Sequence, residues 1–193
     1  MIHSIEECLQ AILEKPFEEG WDKNGEPPLC MIYQKIFKIV KPFDTFLEVG
    51  PGIGDFSLYL LSQNKKVEML DIKETNLGMM KKICEEKGYD YIFHSQDIVK
   101  TILTKSYDVV IAVEVIEHIV DYKKAIYNMM KLVKHKVVLT TPVLNCFSSP
   151  DHKHSFSKED FKFIEKPYKI EKIISKKDDL KTGQRCFLIE IDV

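Results

Sequence analysis

A chain of 193 residues is long enough for one domain with a sizeable core. Its 45% hydrophobic and 30% charged residues are ordinary for a soluble globular protein, and a net charge of −2 excludes a global field attracting nucleic acid or an anionic membrane. The five cysteines, Cys8, Cys30, Cys84, Cys146 and Cys186, are odd in number and contain no CxxC pair, which argues against a disulfide frame or a zinc knuckle and predicts reduced thiols in the cytoplasm. The opening MIHSIEECLQ lacks a signal-peptide pattern, and no apolar run reaches the roughly 18 residues that span a bilayer.

Ser4 and Glu7 read as a capping box, followed by a helical stripe of Ile5, Leu9, Ile12 and Leu13. Phe17 to Pro28, which holds Trp21, reads as a packed connector, with a ligand lid as the alternative. Leu29, Ile32, Tyr33, Ile36, Phe37 and Val40 predict an amphipathic helix that stops at Lys41-Pro42. Thr45 to Val49 predicts a buried strand. Gly50, Gly52 and Gly54 then form a turn into a helix that opens at Asp55, whose acid suits the positive end of the helix dipole.

A second strand is expected at Lys66–Ile72, a helix at Glu74–Glu86 with Gly88 as its C-cap, and a third strand at Tyr91–His94. Gly78 falls inside that helix and weakens it by about 1 kcal/mol relative to alanine. Tyr107–Val113 is apolar on both faces, as a central parallel strand should be. Asp121 is expected to cap a helix striped by Tyr122, Ala125, Ile126, Met129, Met130 and Val133, with the methionines as core. Val137–Thr141 reads as a fifth strand, Leu144–His154 as a polar loop long enough for function, and Ser157 as the cap of a short helix to Ile164. Tyr168–Ser175 and Arg185–Ile191 read as an antiparallel hairpin.

Alternating strands and helices predict an α/β fold: a doubly wound, Rossmann-like, mostly parallel sheet with helices on both faces. Residues 1–193 are expected to form one domain, with N-terminal helices and a candidate lid in 1–41 and a cofactor-binding core in 42–193. Such sheets bind ligands outside the C-terminal ends of their strands. The conspicuous polar residues fall there: Glu48 to Gly54, Asp71, Asp97, Glu114 to His118 and Thr141 to Asn145. Asp71, 17 positions past Gly54, can accept both hydroxyls of a ribose. Asp97 is placed for an adenine amino group, with Ile72 and Ile98 against the ring. These residues specify an adenosine without needing phosphates.

The run Glu48-Val49-Gly50-Pro51-Gly52-Ile53-Gly54, Asp71, Gln96-Asp97 and Tyr107 to Ile119 resembles the class I S-adenosylmethionine-dependent methyltransferases. Thr140-Thr141-Pro142 and His152 to Phe161 match the ubiquinone-type branch. The resemblance covers about residues 29–191. It implies that Glu48, Gly50, Gly52 and Gly54 hold the amino-acid end of the cofactor, Asp71 its ribose, and Asp97 and Ile98 its adenine. It also implies a seven-stranded sheet with the last strand antiparallel. A nicotinamide-dinucleotide module fits less well, because its turn is GxGxxG and no length remains for a substrate domain. A non-catalytic cofactor-binding protein is the third reading.

Methyl transfer needs alignment, and a base when the acceptor is a hydroxyl. His118 and His152 are the candidate bases, with His154 behind them. His118 has an equally weighted structural role at a helix start. Glu114, Glu117, His118 and His152 also resemble the metal ligands of small-RNA 3′-end 2′-O-methyltransferases, and that donor set would suit manganese or magnesium. The sequence reading favours the metal-free form, with Glu114 and Glu117 bonded to cofactor or backbone, and a small-molecule hydroxyl or amine as acceptor. RNA is the alternative acceptor.

Overall fold

In the computed structural model of the protein, residues 28–73, 77–143, 150–174 and 185–193 are described. The expectations for residues 1–27, including the connector or lid that holds Trp21, for 74–76, for 144–149 of the polar loop and for the 175–184 turn lie outside them. Seven strands form one mixed sheet, in the order β3 (Tyr91–Ser95), β2 (Lys66–Asp71), β1 (Thr45–Val49), β4 (Tyr107–Val113), β5 (Val133–Pro142), β7 (Arg185–Asp192), β6 (Tyr168–Ile174). By chain contacts the protein divides into two compact units, one up to Asp97 and one from Ile98.

In the first unit, α1 (Pro28–Val40) buries Ile32, Tyr33, Ile36 and Val40, the face its periodicity predicts. β1 (Thr45–Val49) and β2 (Lys66–Asp71) pair in parallel, Thr45 opposite Lys66 and Val49 opposite Leu70. β3 (Tyr91–Ser95) adds in parallel to β2, with Asp71 opposite Ser95. α2 (Asp55–Ser62) is buried from Phe56 through Leu61, which explains its nearly unbroken apolar sequence. α3 (Gly78–Lys87) ends at Gly88 in the left-handed conformation, as expected. It starts later than predicted, with Leu77 as its N-cap, so Gly78 is its first residue and the interior-glycine penalty does not apply.

In the second unit, β4 (Tyr107–Val113) buries both faces. α4 (Tyr122–Lys131) is capped by Asp121, whose Oδ1 accepts from Lys124 N at 3.2 Å, and it buries Ala125, Ile126 and Met129. Val133, expected on that helix, instead opens β5 (Val133–Pro142), which starts four residues earlier than its apolar run suggests. The polar start of β5 is held by ion pairs across strands: Lys134 with Asp108 at 3.2 Å, and Lys136 with Glu190 and Asp192 at 3.1 and 2.6 Å. β6 (Tyr168–Ile174) and β7 (Arg185–Asp192) form the expected antiparallel pair, and β7 also runs antiparallel to β5. The short helix after Ser157 is a single 3₁₀ stretch, Lys158–Phe161, closed by a Ser157–Asp160 capping box. No helix among the described residues is long and apolar enough to cross a membrane.

Candidate functional site

The first unit gathers its predicted polar residues at the C-terminal ends of β1, β2 and β3. Gly50, Gly52 and Gly54 have φ of +67°, +58° and +82°. Two of these glycines have different surroundings. A Cβ on Gly54 would lie 2.7 Å from Met80 Sδ and 3.1 Å from Leu77 Cδ2, so this position is closed by packing. A Cβ on Gly52 would meet nothing within 4 Å, so its backbone is open to a ligand. Glu48 is buried behind the turn and accepts the Ser57 hydroxyl. Burial pushes its carboxyl up to about 8, and the neighbouring Asp55 adds to that.

Asp55 does more than complement a helix dipole. Its Oδ1 accepts from Tyr33 Oη and from Phe56 N, both at 2.9 Å. Burial also raises its carboxyl. Asp71 caps no helix among the described residues, and its Oδ1 accepts from Lys73 N at 3.1 Å. The Asp71 carbonyl accepts from Gln96 N at 2.9 Å, which sets Gln96-Asp97 beside the end of β2. Ile72 is 64% exposed and offers apolar surface for a ring.

In the second unit Ile98 is buried, and its carbonyl accepts from Asn128 Nδ2 at 2.9 Å. Glu114 ends β4 with φ +53°, an uncommon backbone for a residue with a side chain. Thr140 holds it from two sides. Glu114 N donates to Thr140 O at 3.2 Å and to Oγ1 at 3.1 Å, and Oγ1 donates to Glu114 Oε1 at 2.9 Å. Burial raises the Glu114 carboxyl to about 7.

Glu117 and His118 lie on a 3₁₀ turn, Ile116–His118. Glu117 is buried and raised to about 8, first by burial and then by the Glu114 charge. Its Oε2, like Thr141 Oγ1, is buried with no hydrogen-bond partner among the described residues. One side-chain ligand atom each from Glu117, His118 and His152 lie within 4.8 Å of one another. The two imidazoles meet nearly edge to face, centroids 4.8 Å apart. His152 is lowered by burial and by the His118 charge. Glu114 stands outside this trio, its carboxylate accepting from the Thr140 hydroxyl. The trio, however, has the donors of a divalent-ion site, and an unpartnered buried carboxylate oxygen fits one. His154 Nε2 lies 2.9 Å from Val120 O, and its ring packs edge-on against Tyr122.

A model of the methyltransferase domain matches residues 21–173. The chain belongs to the methyltransferase domain family. This methyltransferase domain is 28% identical over 144 residues to the ubiquinone biosynthesis O-methyltransferase of Rickettsia akari, covering 68% of this chain and 57% of the relative. A counterpart in Rickettsia felis is 29% identical over 133 residues, covering 63% of this chain and 54% of its own. The chain therefore spans somewhat over half the length of these relatives. Among solved structures, the N-methyltransferase NodS of Bradyrhizobium japonicum with S-adenosyl-L-homocysteine superposes with a TM-score of 0.69 at 15% identity, covering 95% of both chains. The magnesium protoporphyrin IX methyltransferase of Synechocystis gives 0.67 at 16% identity, covering 84% of this chain and 83% of its own. These likenesses establish the Rossmann-like methyltransferase fold.

Ser57, Tyr33 and Thr140 were not foreseen in these roles. Ser57 alone left a signal: a serine inside the apolar run Phe56-Ser57-Leu58-Tyr59-Leu60-Leu61, which needs a partner once buried.

Proposed function

We propose that the protein is an S-adenosylmethionine-dependent methyltransferase acting on a hydroxyl of a small-molecule acceptor. One observation carries this reading: the left-handed glycine turn with buried Glu48 behind it, in a chain of this family. The name O-methyltransferase on the matched relatives supports oxygen over nitrogen. Glu48 and the turn would receive the amino-acid end of the cofactor, Asp71 the ribose, and Asp97 with Ile72 the adenine. The sulfonium methyl is already reactive, so the protein's contribution is alignment and proton removal. His118 and His152 are the groups proposed to take the proton. The buried free thiol of Cys84 supports a reducing, cytoplasmic setting.

A second reading places a divalent ion on Glu117, His118 and His152. It is favoured by their convergence and by the unpartnered Oε2 of Glu117. Such an ion would supply Lewis-acid chemistry that lowers the pKa of an acceptor hydroxyl. An acceptor with two adjacent oxygens suits it best.

Calorimetry tests the first reading: S-adenosylmethionine and its demethylated product should bind, and NAD should not. NAD binding without S-adenosylmethionine binding would overturn it. Methyl transfer to a panel of phenols, vicinal diols and amines, with chelator or with manganese, then separates the acceptor classes and the two forms of the site.

A further inference from the structure

A buried acid, Glu48, and a half-buried one, Asp55, stand at the glycine turn, and each is held by one hydroxyl. Ser57, fully buried on the first turn of α2, donates to Glu48 Oε2. Tyr33 donates to Asp55, and its ring stacks on Phe56 with centroids 4.9 Å apart, which fixes the direction of its hydroxyl. The charged group acting on Glu48 is another acid, Asp55, not a cation. A structural ion pair would bring its own positive partner. Two acids with no cation paired to them among the described residues form a receptor for a ligand that brings a cation with N–H donors.

We propose that Ser57 is a positioning residue for the α-ammonium group of the bound cofactor, acting through the Glu48 carboxylate. This rests on the cofactor reading above. The Ser57 hydrogen bond fixes the orientation of the carboxyl group and favours its ionised form, the form that pairs with an ammonium. Asp55 opposes that ionisation, so the hydroxyl matters more here than at an exposed acid. The Tyr33 hydroxyl keeps Asp55 turned to its own donors.

The test uses two nucleosides on the full chain at pH 7. S-adenosyl-L-homocysteine carries the α-ammonium group, whereas 5′-methylthioadenosine is the same thioether nucleoside without the amino acid. Ser57→Ala should weaken S-adenosyl-L-homocysteine roughly tenfold or more. It should leave 5′-methylthioadenosine within about twofold. Glu48→Gln, which keeps an acceptor for Ser57 while removing the charge, should show the same selectivity and guards against a Ser57 variant that folds poorly. Equal weakening of both nucleosides, or of neither, overturns the proposal. A wild-type protein that binds neither nucleoside overturns the cofactor reading itself, and that result is read before any variant is made.

Discussion

The backbone amide of Lys153 donates to the carbonyl oxygen of Glu117 across 2.7 Å, and the amide of His154 adds a second bond to the same atom at 3.2 Å. These bonds fasten the segment carrying His152 onto the turn carrying Glu117 and His118. A third contact, His118 Nδ1 to the Asp151 carbonyl at 3.4 Å, lies alongside. Side chains from two distant parts of the sequence, Glu117 and His118 on one and His152 on the other, thereby meet through the backbone, not by chance apposition of exposed groups.

The first prediction follows from that clasp. If an ion binds the trio, manganese at about 100 times its Kd should stabilise the protein by roughly 2.7 kcal/mol, since it binds the folded state alone. A thermal melt should therefore rise by several degrees with manganese and return with chelator. His152→Ala should abolish the rise. Glu114→Gln should keep it, because the Glu114 carboxylate is committed to Thr140. An unmoved melt in the wild-type protein would reject the ion and leave His118 and His152 as metal-free candidates for the base.

A second prediction concerns pH. Burial holds the Glu48 carboxyl at about 8 in the folded protein, against 4.5 for an ordinary glutamate. It therefore binds more protons than the unfolded chain between those values. The sign is fixed: the stability contribution is fullest below the unfolded value and is lost as pH rises toward the folded one. The slope from this one group is at most about 1.4 kcal/mol per pH unit. Urea midpoints measured without ligand from pH 5 to pH 8 should fall, and Glu48→Gln should flatten the decline. A midpoint that climbs through this range would mean Glu48 is ionised in the folded state.

Asp71 gives the third. Its only described side-chain hydrogen bond is to the nearby Lys73 amide, so little of the fold depends on it. Asp71→Ala should weaken the cofactor roughly tenfold to a hundredfold, the worth of a charged hydrogen-bond partner, while the melting temperature stays close to wild type. An unchanged dissociation constant would return Asp71 to a turn-forming role.

How much of this was legible follows from which interactions are local. β1 and β4 match their expected bounds, because Thr45–Val49 and Tyr107–Val113 are apolar runs whose burial is written in each residue. The start of β5 was not legible. Lys134 and Lys136 read as loop until their partners Asp108, Glu190 and Asp192 are known, and those lie 26 to 56 positions away. The candidate acids were legible by position, at strand ends. Their partners were not: nothing near Glu114 in the sequence points to Thr140, nor anything near Asp55 to Tyr33. Hydroxyl-to-carboxyl bonds across a fold have no spacing rule, whereas a glycine turn after a strand does.

The last prediction separates the two glycines whose surroundings differ. Gly52 and Gly54 both have positive φ, and an L side chain in that region costs roughly 1–2 kcal/mol. The neighbours divide them further. Alanine at 54 meets Met80 and Leu77 at under 3.2 Å, so α3 must shift or Met80 must leave its rotamer. Gly54→Ala should therefore lose more stability than backbone strain alone explains, roughly 1–3 kcal/mol further if overpacking is typical. Alanine at 52 meets nothing. Gly52→Ala should lose only the backbone term, yet weaken the cofactor strongly, because the new methyl stands where the ligand approaches the backbone. Urea unfolding and cofactor titration on both variants should thus dissociate: stability falls further at 54, and affinity falls out of proportion to stability at 52. If Gly52→Ala binds the cofactor as the wild type does, the open side of the turn does not face the ligand, and the placement of the amino-acid end against residues 50–54 is wrong.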